Sequence, residues 1–140
     1  MRVDFAQVNW LAVIVAAVAT FLLGGLWYSA LFQKLWIKSQ NLTDEQMAKM
    51  KADMNPAQFF GGMVVSYFVL AIVMSILVTS FDIRSAASGA LLGWLIWVAV
   101  AAVHMTGHLA SNRSIAAFLV DTSFQLIYLV GMGAILAAWR

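Results

Sequence analysis

The sequence predicts an all-α polytopic membrane protein, with four transmembrane helices in an antiparallel bundle and a short interfacial amphipathic helix. Three observations predict it. The chain of 140 residues is 64% hydrophobic and 10% charged, and its mean hydropathy is +0.90, more than a soluble core of this size can bury. Four apolar runs, 8–32, 59–79, 86–107 and 115–139, each meet the roughly 20 residues needed to cross a hydrocarbon layer about 30 Å thick. One substantial polar stretch, 33–55, interrupts them, and nothing else divides the chain, so residues 1–140 form a single transmembrane domain. The same composition excludes function classes. A net charge of +2, spread along the chain, does not suggest a nucleic-acid partner. The absence of cysteine removes thiol chemistry, disulfides, cysteine metal sites and lipidated cysteine anchors.

The first span opens with Asp4 as N-cap, Gln7 closing a capping box and Val3 stapled against Val8, which starts the helix near Phe5. Arg2 before an apolar run also suits a secretory signal, but the run is too long for one and small residues do not occupy both cleavage positions. Trp10 and the Trp27/Tyr28 pair lie about 26 Å apart along a helix, which suits two aromatic belts. Gly24 and Gly25 mark a close helix contact.

In the polar stretch, Thr43 with Gln46 forms a second capping box and Leu42 with Met47 a second staple, so a short helix is expected over 44–54. Met47, Met50 and Met54 share one side of it, which lets it lie on the bilayer surface with Lys49 and Lys51 reaching toward headgroups. A greasy face explains these methionines better than a soft-metal site does. Asn55-Pro56 then opens the second span, proline being tolerated at the first helical position. That span has no ionisable group, and its hydroxyls can bond to the preceding turn. Phe81 to Arg84 is a tight turn. The third span begins with the small-residue ladder Ser85, Gly89 and Gly93, and the fourth carries Gly131 and Gly133. Together with Gly24 and Gly25, these glycines offer more close-contact surface than one small bundle needs. A homo-oligomer, most simply a dimer, is therefore expected.

Lysine and arginine set the orientation. Arg2, Arg84 and Arg140 fall on one side, and Lys34, Lys38, Lys49, Lys51 and Arg113 on the other, which places the connections after spans one and three in the cytoplasm. Most polar groups of the spans gather in that half, which suggests a cavity opening to one face.

The runs Asn9-Trp10-Leu11-Ala12-Val13, Gly24-Gly25-Leu26-Trp27-Tyr28-Ser29, Gly89-Ala90-Leu91-Leu92-Gly93 and Gly131-Met132-Gly133-Ala134-Ile135-Leu136 carry a family resemblance. In these the chain resembles the bacterial membrane proteins catalogued as domain of unknown function 1761. The resemblance covers most of the four spans and implies four helices in a bacterial inner membrane, as a multi-pass cell-membrane protein. It implies no established activity and carries over no catalytic residue.

The chemistry gathers between Leu91 and Tyr128. His104 and His108 share a helical stripe with Gly89, Gly93, Trp97 and Gly107; on the next helix Ala117, Asp121, Gln125, Tyr128 and Met132 share another. An acid in a membrane span costs roughly 2.5–3.5 kcal/mol, which makes Asp121 the most informative residue of the chain. Tyr28, His104, His108, Asp121, Gln125 and Tyr128 form the candidate polar pocket. Counted from the turn at 110–114, His104 and Asp121 lie level, roughly 9–11 Å below the interface, and are expected to meet directly or through one water. His104, His108 and Asp121 could hold a metal, but no further motif supports one, so no metal, cofactor or catalytic residue is assigned. Beyond the lipid bilayer, any small-molecule or ion ligand is unidentified. No enzyme signature is present. The leading expectation is an oligomer-forming structural or accessory membrane subunit in which Asp121 is satisfied by His104, Asn112 or a partner helix. The alternative is a small proton-coupled transporter or channel using Asp121 in a cytoplasm-facing pocket.

Overall fold

The computed structural model describes residues 5–111 and 113–140. The expected cap at Asp4, its staple Val3, the charge of Arg2 and the side chain of Asn112 lie outside them. Among the described residues the chain is all helical. A 3₁₀ turn, Phe5–Gln7, precedes α1, Trp10–Leu26, which runs through a π-helical segment, Trp27–Leu31, and a kink into α2, Gln33–Ser39. Then come α3, Asp44–Asp53, α4, Pro56–Ser80, α5, Ala86–Ala110, and α6, Ile115–Ala138. Four helical stretches are long and apolar enough to cross a membrane: Trp10–Leu31, α4, α5 and α6.

Local chemistry sets the boundaries. The first long helix starts later than expected: Asn9 is its N-cap, its Oδ1 accepting the Ala12 N–H at 3.1 Å. Thr43 and Gln46 exchange the two bonds of a capping box at α3. Asn55 caps α4 through the N–H groups of Ala57 and Gln58, with Pro56 in the first turn. At the far end of α4 the Ile83 N–H reaches the Val78 carbonyl and the Asp82 N–H that of Thr79, with Asp82 at φ 53°. That is a Schellman ending with aspartate in the left-handed position usually given to glycine. The first span ends close to the expected Phe32: its π-helical segment stops at Leu31, the chain kinks at Phe32, and the separate short helix α2 runs on to Ser39.

The short turns do not make every neighbour in sequence a neighbour in space. Although a tight turn joins them, α4 and α5 are not packed side by side: α5 lies along α6, while α4 packs on α1 and α6. A tight turn fixes only where the next helix starts, and the face that allows the closest approach decides where it lies. On α5 that face is glycine. A Cβ built at Gly89 would collide with the Gly133 carbonyl, and one at Gly93 with the Leu129 carbonyl and the Val130 backbone. Gly133 faces Gly89 in the same way, and Gly24 faces the Phe124 ring at 3.2 Å from an added Cβ. Gly25 and Gly131 face open space. The glycine ladder is thus used within the chain, and the surplus of contact surface from which an oligomer was expected shrinks to two positions.

The interior has two ends of different character. Near the α4–α5 turn it is aliphatic: Ala12, Val13 and Ala16 of α1 meet Met74 and Val78 of α4 and Met132 and Leu136 of α6. The ends of the chain are latched there, because the Asn9 amide donates to the Trp139 carbonyl at 2.6 Å and Asp82 pairs with Arg140 at 2.7 Å and Arg84 at 2.9 Å. Toward the α5–α6 turn the interior becomes aromatic, around Trp27, Val120 and Phe124. No residue of α3 is buried, with Met47 half-buried and Met50 and Met54 exposed.

Candidate functional site

The π-helical segment builds the site. Its widened turn, closed by the Phe32 N–H on the Trp27 carbonyl at 2.9 Å, lets consecutive side chains address the same neighbour. Trp27 donates its indole N–H to the Val120 carbonyl at 3.2 Å, and Tyr28 donates its hydroxyl to Asp121 Oδ1 at 2.8 Å. The chain then turns into α2, whose Trp36 donates its indole N–H to the same oxygen at 3.2 Å. Ser114, the N-cap of α6, donates to the Ser39 carbonyl at 2.7 Å and ties down the end of α2. The Asp121 carboxylate is therefore held by one arm of the chain, from Trp27 to Ser39.

Aromatic rings surround this contact. Tyr28 meets Trp36 at 5.8 Å and Phe124 at 5.4 Å between ring centroids, both edge to face, and Tyr128 continues the cluster against Phe124 at 4.9 Å and Tyr67 at 5.7 Å. These are preferred aromatic geometries, each contributing about 0.5–1.5 kcal/mol beyond the area buried. Tyr128 thus belongs to the wall behind the carboxylate. Asp121, Tyr28 and Trp36 are all half-buried, so the group is not sealed. A hydrogen bond to an ionised acceptor contributes roughly 1.5–3 kcal/mol, and two of them offset the roughly 2.5–3.5 kcal/mol that an acid costs in a span. No partner helix is needed to hold Asp121 in place.

The expected meeting of His104 with Asp121 is corrected. The His104 imidazole is paired with Gln125 instead, Nδ1 to Nε2 at 3.0 Å, and its ring stands edge-on to Phe118 at 5.8 Å. Side chains of antiparallel helices lean toward their own N-termini, so His104 reaches toward mid-span while Asp121 leans toward the turn, and level Cα positions do not make level side chains. The six expected pocket residues therefore do not form one group: Asp121 bonds Tyr28 of the π-helical segment, Tyr128 packs on Phe124 and Tyr67 of α4, Gln125 pairs with His104 of α5, and His108 packs on Phe118.

His108 is buried against Phe118 at 5.4 Å, and its Nε2 has no hydrogen-bond partner among the described residues. Gln125 Oε1 and Gln40 Nε2 are buried and unpartnered likewise. Beside His104 a shallow depression of about 390 Å³, lined otherwise by Ala99, Val100 and Val103, opens on the outer side of α5. His104, His108 and Asp121 do not converge as a metal set, and no cluster of three such ligands occurs among the described residues.

Trp36 and α2, which help hold Asp121, lie in what the sequence analysis read as a polar stretch, and Trp27 was read only as an aromatic-belt residue. A signal for them exists. Tyr28, Phe32 and Trp36 repeat every four residues, a helical stripe that crosses the boundary set at Phe32, while Lys34 and Lys38 make the same segment look polar.

No curated protein and no solved structure matches the chain. The model of the protein family of unknown function DUF1761 matches residues 11–137, from the first turn of α1 almost to the end of α6. The run from Trp27 to Ser39 and α6 as far as Ala137 lie within that match, and the chain belongs to this family.

Proposed function

We propose that the protein is a small membrane-embedded cation-binding protein, working as a proton-coupled transporter or channel centred on Asp121. The observation that supports this reading is the nature of the partners of Asp121. It is the only Asp, Glu, Lys or Arg within the four spans, and both groups that bond it, a phenol and an indole, are neutral. Hydrogen bonds offset desolvation, yet they leave a carboxylate charge with no counter-charge among the described residues. A proton or a cation from outside the chain supplies one.

The test is proton movement in proteoliposomes carrying an internal pH dye. Wild type is expected to show cation-dependent proton flux that Asp121→Asn lacks while retaining its elution volume and helical circular dichroism. Equal flux from the two proteins would sink the reading.

A second reading, an oligomer-forming structural or accessory subunit, draws on the same two bonds. They fasten the arm from Trp27 to Ser39 onto α6, which is what a purely structural acid would do, and the open faces of Gly25 and Gly131 leave room for a second copy. Here Asp121→Asn lowers the melting temperature, changes no flux, and native mass spectrometry in mild detergent shows a dimer.

A further inference from the structure

We infer that the ligand of Asp121 is a proton, taken up at its Oδ2 oxygen, and that its arrival frees the arm from Trp27 to Ser39 from α6. This rests on the reading of Asp121 as a cation site and adds which cation it takes and what its binding moves. The two carboxylate oxygens have different duties. Tyr28 and Trp36 both donate to Oδ1, at 2.8 and 3.2 Å. Oδ2 accepts nothing from the described residues, and it is not one of their sealed, unpartnered atoms, which are Gln40 Nε2, His108 Nε2 and Gln125 Oε1. One oxygen of a half-buried residue is thus open and uncommitted. Hard cations such as calcium and magnesium take about six or more oxygen ligands, and no second acidic side chain lies in the four spans to contribute any. A proton needs a single lone pair.

What moves follows from what holds the arm. Four side-chain hydrogen bonds join it to α6 and its N-cap: Trp27 to the Val120 carbonyl, Tyr28 and Trp36 to Asp121, and Ser114 to the Ser39 carbonyl. Two of the four end on the carboxylate, and a bond to an ionised acceptor is roughly twice as strong as one between neutral groups. Neutralising Asp121 therefore weakens both at once and leaves the other two as they were. The arm has a place to bend, because the kink at Phe32 separates the π-helical segment from α2, whose 7 residues bury only Ser39. The other titratable groups around Asp121 are accounted for. Tyr28, Tyr67 and Tyr128 are phenols, while Lys34 and Lys38 on the arm and Arg113 in the α5–α6 turn are exposed. His104 and His108 are engaged with Gln125 and Phe118 from α5, and histidine is the residue type that ordinarily titrates near neutrality, so both enter the test as controls.

The test exploits the absence of cysteine. A single Lys38→Cys puts one nitroxide at an exposed position on the arm of the full chain, in nanodiscs of zwitterionic lipid, and the electron paramagnetic resonance line shape separates held from free arm. As the pH falls, with helical circular dichroism intact, the ratio of mobile to immobile label is expected to rise about tenfold. Asp121→Asn has nearly the same shape and cannot ionise, so it is expected to give the mobile spectrum at every pH. Ser114→Ala raises the mobile share throughout and keeps the pH response, and His104→Gln and His108→Phe keep it too. Excess sodium or calcium at fixed pH leaves the spectrum unchanged. A pH response that persists in Asp121→Asn or vanishes in either histidine variant, a change caused by sodium or calcium, or a wild-type spectrum indifferent to pH each overturns the inference. If proton flux depends on Asp121 while the label does not respond, the arm inference fails and the cation reading stands. If the label responds through Asp121 and no flux is seen, the transport reading fails and the proton-controlled arm stands.

Discussion

At the residue scale, Asp121 and His108 make opposite predictions. Tyr28→Phe keeps the ring contacts with Trp36 and Phe124 and removes the bond to Asp121, so a loss of about 1.5 kcal/mol is expected by thermal unfolding in detergent, the low end because the group is half-buried. His108→Phe goes the other way. Its ring already packs on Phe118 while its Nε2 lies buried with no partner among the described residues, so an apolar ring of similar size is expected to leave the melting temperature unchanged or raise it. A clear drop would show that a buried water or a ligand uses that nitrogen. Asp121 was legible in the sequence because an acid in an apolar run needs a partner whatever its role. Its partners were not, because Tyr28 and Trp36 lie 93 and 85 residues away and no local pattern encodes contacts at that separation. His104 was given the wrong partner for a related reason: depth along a helix can be counted from a turn, but the lean of the side chain settles which groups touch.

At the scale of elements, the α5–α6 pair depends on the absence of side chains. Gly93→Ala places a methyl group against the backbone of Leu129 and Val130, which cannot yield as a flexible side chain would. A loss of about 1–3 kcal/mol is expected, read from the same melting curves. Gly131→Ala meets nothing within 4 Å and is expected to be neutral or to stabilise by up to about 1 kcal/mol through helix propensity. The reverse order would mean that α5 and α6 do not pack through this face. Helix ends were well marked in the sequence, since the caps at Thr43 and Asn55 act within one turn of chain. The use of the glycine ladder was not, because Gly89 and Gly93 present the same smooth face to a helix of their own chain or of another. The π-helical segment left no readable mark either, as Trp27 to Leu31 differs from an ordinary turn only in its bonding.

For the whole molecule, the pairing of Asp82 at the α4–α5 turn with Arg140 carries a pH dependence. Hydrogen bonds from Arg84 and then Arg140 hold the Asp82 carboxyl below the usual carboxylate range. A carboxyl lowered by folding contributes stability above its unfolded value and loses it as the pH falls through the folded one. The melting temperature is therefore expected to be flat near neutrality and to fall in acid below the normal carboxylate range, with a shallower fall in Asp82→Asn. An equally steep acid fall in that variant would place the titrating group elsewhere. That four helices span the chain was legible from length and hydropathy; which of them touch was not, since a turn as short as Phe81 to Arg84 constrains direction and leaves lateral placement to the packing faces. The outcome is an arrangement in which α1, α2, α4 and α5 all rest on α6. This has a consequence for biogenesis. Spans are made in order, and α6 is the last of the four, so until it enters the bilayer Tyr28 and Trp36 have no carboxylate and the glycines of α5 have no surface to meet. α1 and α4 can pair early, but α5 and the arm from Trp27 to Ser39 wait, and the site closes in a single late step on a helix that brings Asp121, Gln125 and Gly133 into the membrane together.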